Sequence, residues 1–202
     1  MRYTLAPNAV FWSWQGEGHL RGFPMVFIRL AGCSVGCPQC DTDYSAERTA
    51  SAEEIAAEVA ATWPRGYRDR WVWITGGEPY DRQLRPLFRA LRGVGASIAV
   101  ATSGVHRAIT PVDWLSVSPH GGTLLQRYGS EVKLVDGLDG LDPWSWLADN
   151  PDDTTDFLYR YVQPLSVDGV ECAESLARCV AFCRHHPNWA LSRQDHIHWG
   201  MS

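Results

Sequence analysis

The 202-residue chain contains no apolar run close to the ~20 residues that a membrane-spanning helix needs; its best early run, Met25 to Ala31, is broken by Arg29. Its start, Met1-Arg2-Tyr3-Thr4, has no charged segment leading into an apolar signal core. Positive charge is also scarce: 18 Lys and Arg against 23 Asp and Glu leave a formal net charge of −5. No broad cationic surface is therefore available to a phosphate backbone or an anionic membrane. There is no internal repeat, low-complexity tract or long charge run. These absences predict a cytoplasmic protein of one domain, residues 1–202, with neither nucleic acid nor membrane as partner. With 45% hydrophobic and 20% charged residues, the composition excludes wholesale disorder.

Six cysteines are present, and their spacing matters more than their number. Three crowd together as Cys33-x3-Cys37-x2-Cys40, and three come late at Cys172, Cys179 and Cys183. In a reducing cytosol the first triplet argues for metal rather than disulfides. Three thiolates so close in sequence can hold one iron–sulfur cluster and leave one iron without a protein ligand. An open metal position is a catalytic feature. The plainer alternatives are a zinc site completed by a histidine, or three buried thiols.

Periodicity places the triplet on a scaffold. Met25–Leu30, Trp71–Thr75, Ser97–Thr102, Trp114–Val117, Glu131–Val135 and Phe157–Val162 read as six strands. Ser51-Ala-Glu-Glu54 is a capping-box pattern opening a helix that Pro64 ends, residues 81–92 carry apolar positions at helical spacing, and Glu171–His185 reads as a last long helix. Asp136–Thr155, rich in Asp, Gly and Pro, reads as an excursion that carries Trp144 and Trp146. Strands alternating with helices imply an α/β fold with a mainly parallel sheet. A complete eightfold barrel takes ~250 residues, so a partial, open (β/α) barrel of about six strands fits the length better. The loops after the strand ends, where working residues sit in such sheets, carry the cysteine triplet, Gly76-Gly77-Glu78, Ser103-Gly104 and Ser118-Pro119-His120.

The x3-then-x2 cysteine spacing resembles that of the radical S-adenosylmethionine enzymes. Gly76-Gly77-Glu78-Pro79 is similar to their glycine-rich turn, whose bare backbone can approach a ligand closely beside a carboxylate. Flanking segments narrow the likeness. Phe11-Trp-Ser-Trp-Gln-Gly-Glu-Gly18, Gly22-Phe-Pro24, Phe27-Ile-Arg-Leu-Ala-Gly-Cys33, Cys40-Asp-Thr42 and the final Gln194-x-His196 together resemble the 7-carboxy-7-deazaguanine synthase family. The chain departs from the family's usual residues at Ser34, Gln39, His120, Ile197 and Ser202.

The resemblance implies a partial barrel of the radical S-adenosylmethionine type and a lyase. The lyase would convert 6-carboxy-5,6,7,8-tetrahydropterin to 7-carboxy-7-deazaguanine with loss of ammonia, a step toward queuosine and other 7-deazapurines. It implies a [4Fe-4S] cluster, S-adenosyl-L-methionine and Mg2+ as cofactors, a flavodoxin- or ferredoxin-like reductant, and a homodimer. Carried over position by position, Cys33, Cys37 and Cys40 would ligate the cluster and Thr42 the Mg2+, an ion that accepts few protein ligands. Gln39, Cys40, Asp41, Gly77, Glu78, Ser103, Ser118, Pro119, His120 and Gln163 would contact S-adenosylmethionine. Trp14, Gln15, Gly16, Glu17, Arg29, Thr75, His196 and Ser202 would form the pterin pocket, with Glu17 accepting from neighbouring N–H groups and Arg29 clamping the carboxylate.

Several residues have plainer readings. Arg29 could serve as a structural ion-pair partner, and Glu17 as surface. Cys172, Cys179 and Cys183 fall on one helical face beside Leu176, Val180 and Phe182, which makes them small core residues rather than a second cluster. His185 and His186 read as the solvated end of a helix, and His198 as bulk. Two other functions compete: a glycyl-radical activating enzyme of the same superfamily, and a non-catalytic zinc or electron-transfer module.

Overall fold

A computed structural model of the chain describes residues 1–38, 40, 42–120 and 123–201. In chain order its elements are β1 (Arg2–Trp14), β2 (Pro24–Leu30), β3 (Arg48–Ser51), α1 (Ala52–Thr62), β4 (Trp71–Gly76), α2 (Arg85–Gly93), β5 (Ser97–Thr102), β6 (Trp114–Val117) and β7 (Tyr128–Asp136). Then follow α3 (Pro143–Asp149), β8 (Asp156–Pro164), the hairpin β9 (Ser166–Val167) and β10 (Val170–Glu171), α4 (Ala173–His185), β11 (Ala190–Leu191) and α5 (Asp195–His198). One sheet runs in the order β11-β8-β7-β6-β5-β4-β2-β1-β3. It is parallel from β11 to β2, with β1 and β3 added antiparallel at one edge. The sheet is open, as the length implied. The six strands read from the sequence are the six long parallel ones.

Side chains alternate across a strand with period two, and here the two faces differ in chemistry. Val26, Ile28, Leu30, Val72, Ile74, Ile98, Val100, Leu115, Val117, Val132, Leu134 and Val162 form the main core with the helices. α1 supplies Ile55 and Val59 to it, α2 supplies Leu87, Phe88 and Leu91, and α4 supplies Cys179 and Phe182. The opposite face carries a small apolar cluster of Leu20, Met25, Trp73 and Ala99. Beyond that cluster, toward the strand C-termini, it turns polar.

Local signals explain the helices. At α1, Ser51 Oγ accepts from the Glu54 amide at 3.1 Å while Glu54 Oε2 accepts from the Ser51 amide at 2.6 Å, the reciprocal cap read from the sequence. The helix expected over 81–92 is instead a 3-10 turn at Pro79–Asp81 followed by α2 from Arg85. Pro86 has no N–H to give a helix interior, so it belongs in the first turn. The excursion over 136–155 contains α3, the crossover between β7 and β8. The Asp and Pro that read as loop formers act as its N-cap, Asp142, and its first residue, Pro143. Its Trp144 packs edge-on against Phe182, with ring centroids 5.3 Å apart.

Two further expectations about side chains are resolved. His186 is not a solvated helix end: its ring lies 4.5 Å from that of Phe182 and 5.0 Å from that of Trp144. Cys179 is fully buried and Cys183 packs against the core, as read, whereas Cys172 is not a core residue of the helix face: it is the half-buried N-cap that precedes α4. The one group of metal-capable side chains among the described residues contains none of the three late cysteines. No helix among the described residues is long and apolar enough to cross a membrane.

Besides apolar packing, one phenol ties β1 to the helical layer by hydrogen bonds. Tyr3 Oη donates to the Gln83 carbonyl at 2.8 Å and accepts from the Leu87 amide at 3.2 Å. Tyr3→Phe leaves both groups unpaired in the interior. It is expected to lower unfolding free energy by about 1–3 kcal/mol, read from urea denaturation with an unchanged slope.

Candidate active site

A cavity of about 490 Å³ opens on the polar face at the strand C-termini. Its floor comes from alternate residues of successive strands, including Phe27 and Arg29 of β2, Trp73 and Thr75 of β4, Ala101 of β5, Lys133 and Val135 of β7, and Gln163 of β8. Arg29 and Thr75 are direct neighbours in the β2–β4 register. The Arg29 guanidinium lies over the Phe11 ring, 4.6 Å from its centroid, and Phe11 stacks on Phe27. An arginine held over an aromatic face is pre-positioned to receive an anion.

The loop after β2 carries the cysteines, and Cys33, Cys37, Cys40 and Thr42 all line the cavity. The loop rests on the glycine turn after β4. The Gly77 amide donates to the Leu30 carbonyl at 2.7 Å, and a Cβ on Gly77 would overlap the Gly32 carbonyl, so only glycine allows this approach. Asp81 ties the loop from the other side, accepting from the Ser34 amide at 2.8 Å and from Ser34 Oγ at 2.6 Å. Burial pushes the Cys37 thiol up to about 12, with Asp139 and the Cys40 and Cys33 thiols adding to it. A metal must displace that proton when it binds. His120 Nδ1 stands 3.2 Å from Cys37 Sγ and 3.6 Å from Asp139 Oδ2. A zinc site built on those three would leave out Cys33 and Cys40. Three thiols facing one cavity against bare glycine backbone fit an iron–sulfur cluster.

Glu78, in the glycine turn, is buried and saturated by its own chain. It accepts from the Tyr80 amide (3.0 Å), Thr102 Oγ1 (2.7 Å), the Ser103 amide (2.9 Å) and Ser103 Oγ (2.5 Å). Its carboxylate thus joins the loops after β4 and β5, and a ligand ammonium would feel its field rather than take its lone pairs. Ser118 and His120 line the same cavity. Pro119 instead lines a second cavity of about 320 Å³, which shares Ser103 and His120 with the first.

The far end is built from two segments distant in sequence. The Asp195 amide donates to the Gly16 carbonyl at 3.0 Å, the Gly18 amide to Ser192 Oγ at 2.9 Å, and a Cβ on Gly16 would overlap His196. Gln15 is buried, and its Oε1 accepts from the Glu17 amide at 3.1 Å. Glu17, whose sequence context also read as surface, has its side chain 19% exposed. Its Oε1 accepts from Gln163 Nε2 (3.2 Å) and Gln194 Nε2 (2.8 Å), and its Oε2 pairs with Lys133. Burial raises its pKa, but the charge and hydrogen bond of Lys133 and the Gln194 amide prevail, and the net value lies below the ordinary carboxylate range. Trp14 lines the cavity mouth, 39% exposed.

Of the residues expected at the site, the cavity gathers all but Pro119 and three that lie outside the described residues, Gln39, Asp41 and Ser202. Sequence reasoning missed Lys133, Asp81, Asp139 and the contact of Gln194 with Glu17. Lys133 did carry a signal, since it is the only lysine in the chain. Glu78→Gln would set an amide N–H₂ against donors. It is expected to cost about 2–3 kcal/mol of stability in the metal-free protein, seen as a lower thermal midpoint.

No protein-family model matches the chain. It is 36% identical to the 7-carboxy-7-deazaguanine synthase of Bradyrhizobium diazoefficiens, covering 98% of this chain and 99% of that protein. To the enzyme of that name from Escherichia coli it is 33% identical, covering 97% of each. Among solved structures it is similar to QueE from Escherichia coli, with a TM-score of 0.72 and 31% identity over 96% of this chain and 94% of that one. With the cysteine loop, the glycine turn and the two-segment pocket held on a similar fold, the chain belongs to the 7-carboxy-7-deazaguanine synthase family.

Proposed function

We propose that this chain is a radical S-adenosylmethionine lyase that converts 6-carboxy-5,6,7,8-tetrahydropterin to 7-carboxy-7-deazaguanine with loss of ammonia. The observation that carries this reading is that one cavity holds the three cysteines, the glycine turn and the Glu17 pocket together. When bound, the [4Fe-4S] cluster and S-adenosylmethionine supply a one-electron cleavage that yields a carbon radical able to take hydrogen from the substrate.

The chain's own residues bind, orient and exclude. Cys33, Cys37 and Cys40 would hold the cluster, with one iron left without a protein ligand. Gly77, Ser103, Ser118, His120 and Gln163 lie around the space for S-adenosylmethionine, with Glu78 fixing the two loops that border it and Pro119 lining the adjoining cavity. Thr42 offers its hydroxyl to Mg2+. At the far end Glu17 accepts from the pterin N–H edge, Gln15, Gly16 and Trp14 frame the ring, and Arg29 takes the substrate carboxylate beside Thr75 and His196. By the same resemblance, Gln39 and Asp41 would contact S-adenosylmethionine and Ser202 the substrate. The electron donor belongs to the flavodoxin or ferredoxin class and the enzyme acts as a homodimer, as the family resemblance suggests. A glycyl-radical activating enzyme would use the cysteine loop and the glycine turn but has no use for the buried Glu17 cluster.

Two variants separate the halves of the site. Cys37→Ala is expected to lose the brown colour, the full iron and sulfide content and all product. Arg29→Ala is expected to keep the cluster and lose about ten- to hundredfold in kcat/KM for the pterin, the size of a charge-assisted contact. Normal pterin turnover by Arg29→Ala would remove the clamp from the scheme.

A further inference from the structure

Lys133 is the only lysine of the chain, and the other 17 basic side chains are arginine. It stands on the cavity face of β7 with its side chain 11% exposed, and its Nζ pairs with Glu17. Elsewhere the chain meets carboxylates with arginine, in Arg48–Glu58, Arg178–Asp136 and Arg193–Glu171 among others. If the position served only to neutralise Glu17, an arginine fork would do so bidentately. A lysine offers something different, a compact ammonium with N–H bonds in three directions. One can lie on Glu17 while another addresses a ligand atom beside it.

The neighbouring groups define what that atom is. Glu17 accepts only, and its Oε1 already draws Gln163 and Gln194 toward it. Seen from the cavity, the wall therefore presents a donor, Lys133, next to an acceptor, Glu17. The complementary ligand edge has an acceptor next to donors. The pyrimidine ring of a pterin has that edge: a carbonyl oxygen, then a ring N–H, then an exocyclic amine.

We propose that Lys133 is a specificity-determining residue, donating to the ring carbonyl oxygen while the adjoining N–H edge sits on Glu17, and so selecting an oxo over an amino group at that ring position. The proposal rests on the pterin reading above. An amino group there would turn N–H bonds toward a buried ammonium, and both would lose a partner.

The test is equilibrium binding to the anaerobic, cluster-loaded enzyme without S-adenosylmethionine, so that nothing turns over. The ligands are the carboxy-tetrahydropterin and its analogue with amino in place of oxo. Wild type is expected to prefer the oxo compound by about ten- to hundredfold. Lys133→Met, and Lys133→Arg with its fork committed to Glu17, are expected to lose the part of that preference that the carbonyl contact supplies and to keep the part that comes from Glu17, which meets a ring N–H in the oxo compound and a bare ring nitrogen in its amino analogue. Because the chain has one lysine, acetylation followed by mass spectrometry reads Lys133 without any variant. The oxo compound should slow its acetylation, and the amino analogue should slow it less. Equal binding of the two pterins by wild type, full preference retained in Lys133→Arg, or acetylation unaffected by saturating substrate would each overturn the proposal while leaving the function intact. If wild type binds neither pterin, the functional reading fails and this one with it.

Discussion

The structure depends on how one buried carboxylate is satisfied. Glu17 lies in the connection between β1 and β2, and it is held by Lys133 of β7, Gln163 of β8 and Gln194 before α5. Removing a carboxylate from water costs several kcal/mol unless charge and hydrogen bonds replace what is lost. Here three donors from three distant parts of the chain do so. The same connection is pinned again where the His19 amide donates to buried Glu131, whose other oxygen accepts from Ser116. An edge segment is thereby drawn across the polar face of an open sheet, and the cavity lies between it and the cysteine loop.

That arrangement divides the labour of the two sheet faces. The face toward the helices is aliphatic and takes up the burial that makes the fold stable. The opposite face is freed to carry arginine, threonine, lysine and glutamine at positions two residues apart, all aimed into one space. Parallel strands place their C-terminal ends together, so the loops after β2, β4, β5 and β6 meet there without further design. Glycine does the final fitting: Gly77 lets the turn touch the cysteine loop, and Gly16 lets the C-terminal segment touch the Glu17 loop.

Much of this was legible in the sequence, for definable reasons. The six parallel strands were visible because each is a short β-branched or aromatic run closed by glycine, serine or proline. The cysteine loop and glycine turn were visible because each is a short, contiguous motif with the spacing of the family the chain belongs to. β1 was harder: Pro7-Asn8 interrupts it, and only the structure shows Asn8 in the left-handed region at a register shift between Leu5 and Val10. The start of α2 and the existence of α3 were hidden because proline and aspartate end helices as readily as they begin them. Asp81 and Asp139 could not be assigned, since an aspartate's partner across the fold leaves no trace in its local sequence. Lys133 was readable only as an absence of lysine everywhere else.

The central claim is that one cavity brings a cluster loop and a pterin pocket together to make a deazapurine. Its most direct test is to reconstitute the cluster anaerobically, reduce it, supply S-adenosylmethionine, Mg2+ and 6-carboxy-5,6,7,8-tetrahydropterin, and look for the product by mass. The account predicts 7-carboxy-7-deazaguanine, absent when the reductant, S-adenosylmethionine or the pterin is omitted. A reconstituted, reduced protein that cleaves S-adenosylmethionine yet leaves the pterin untouched would contradict it.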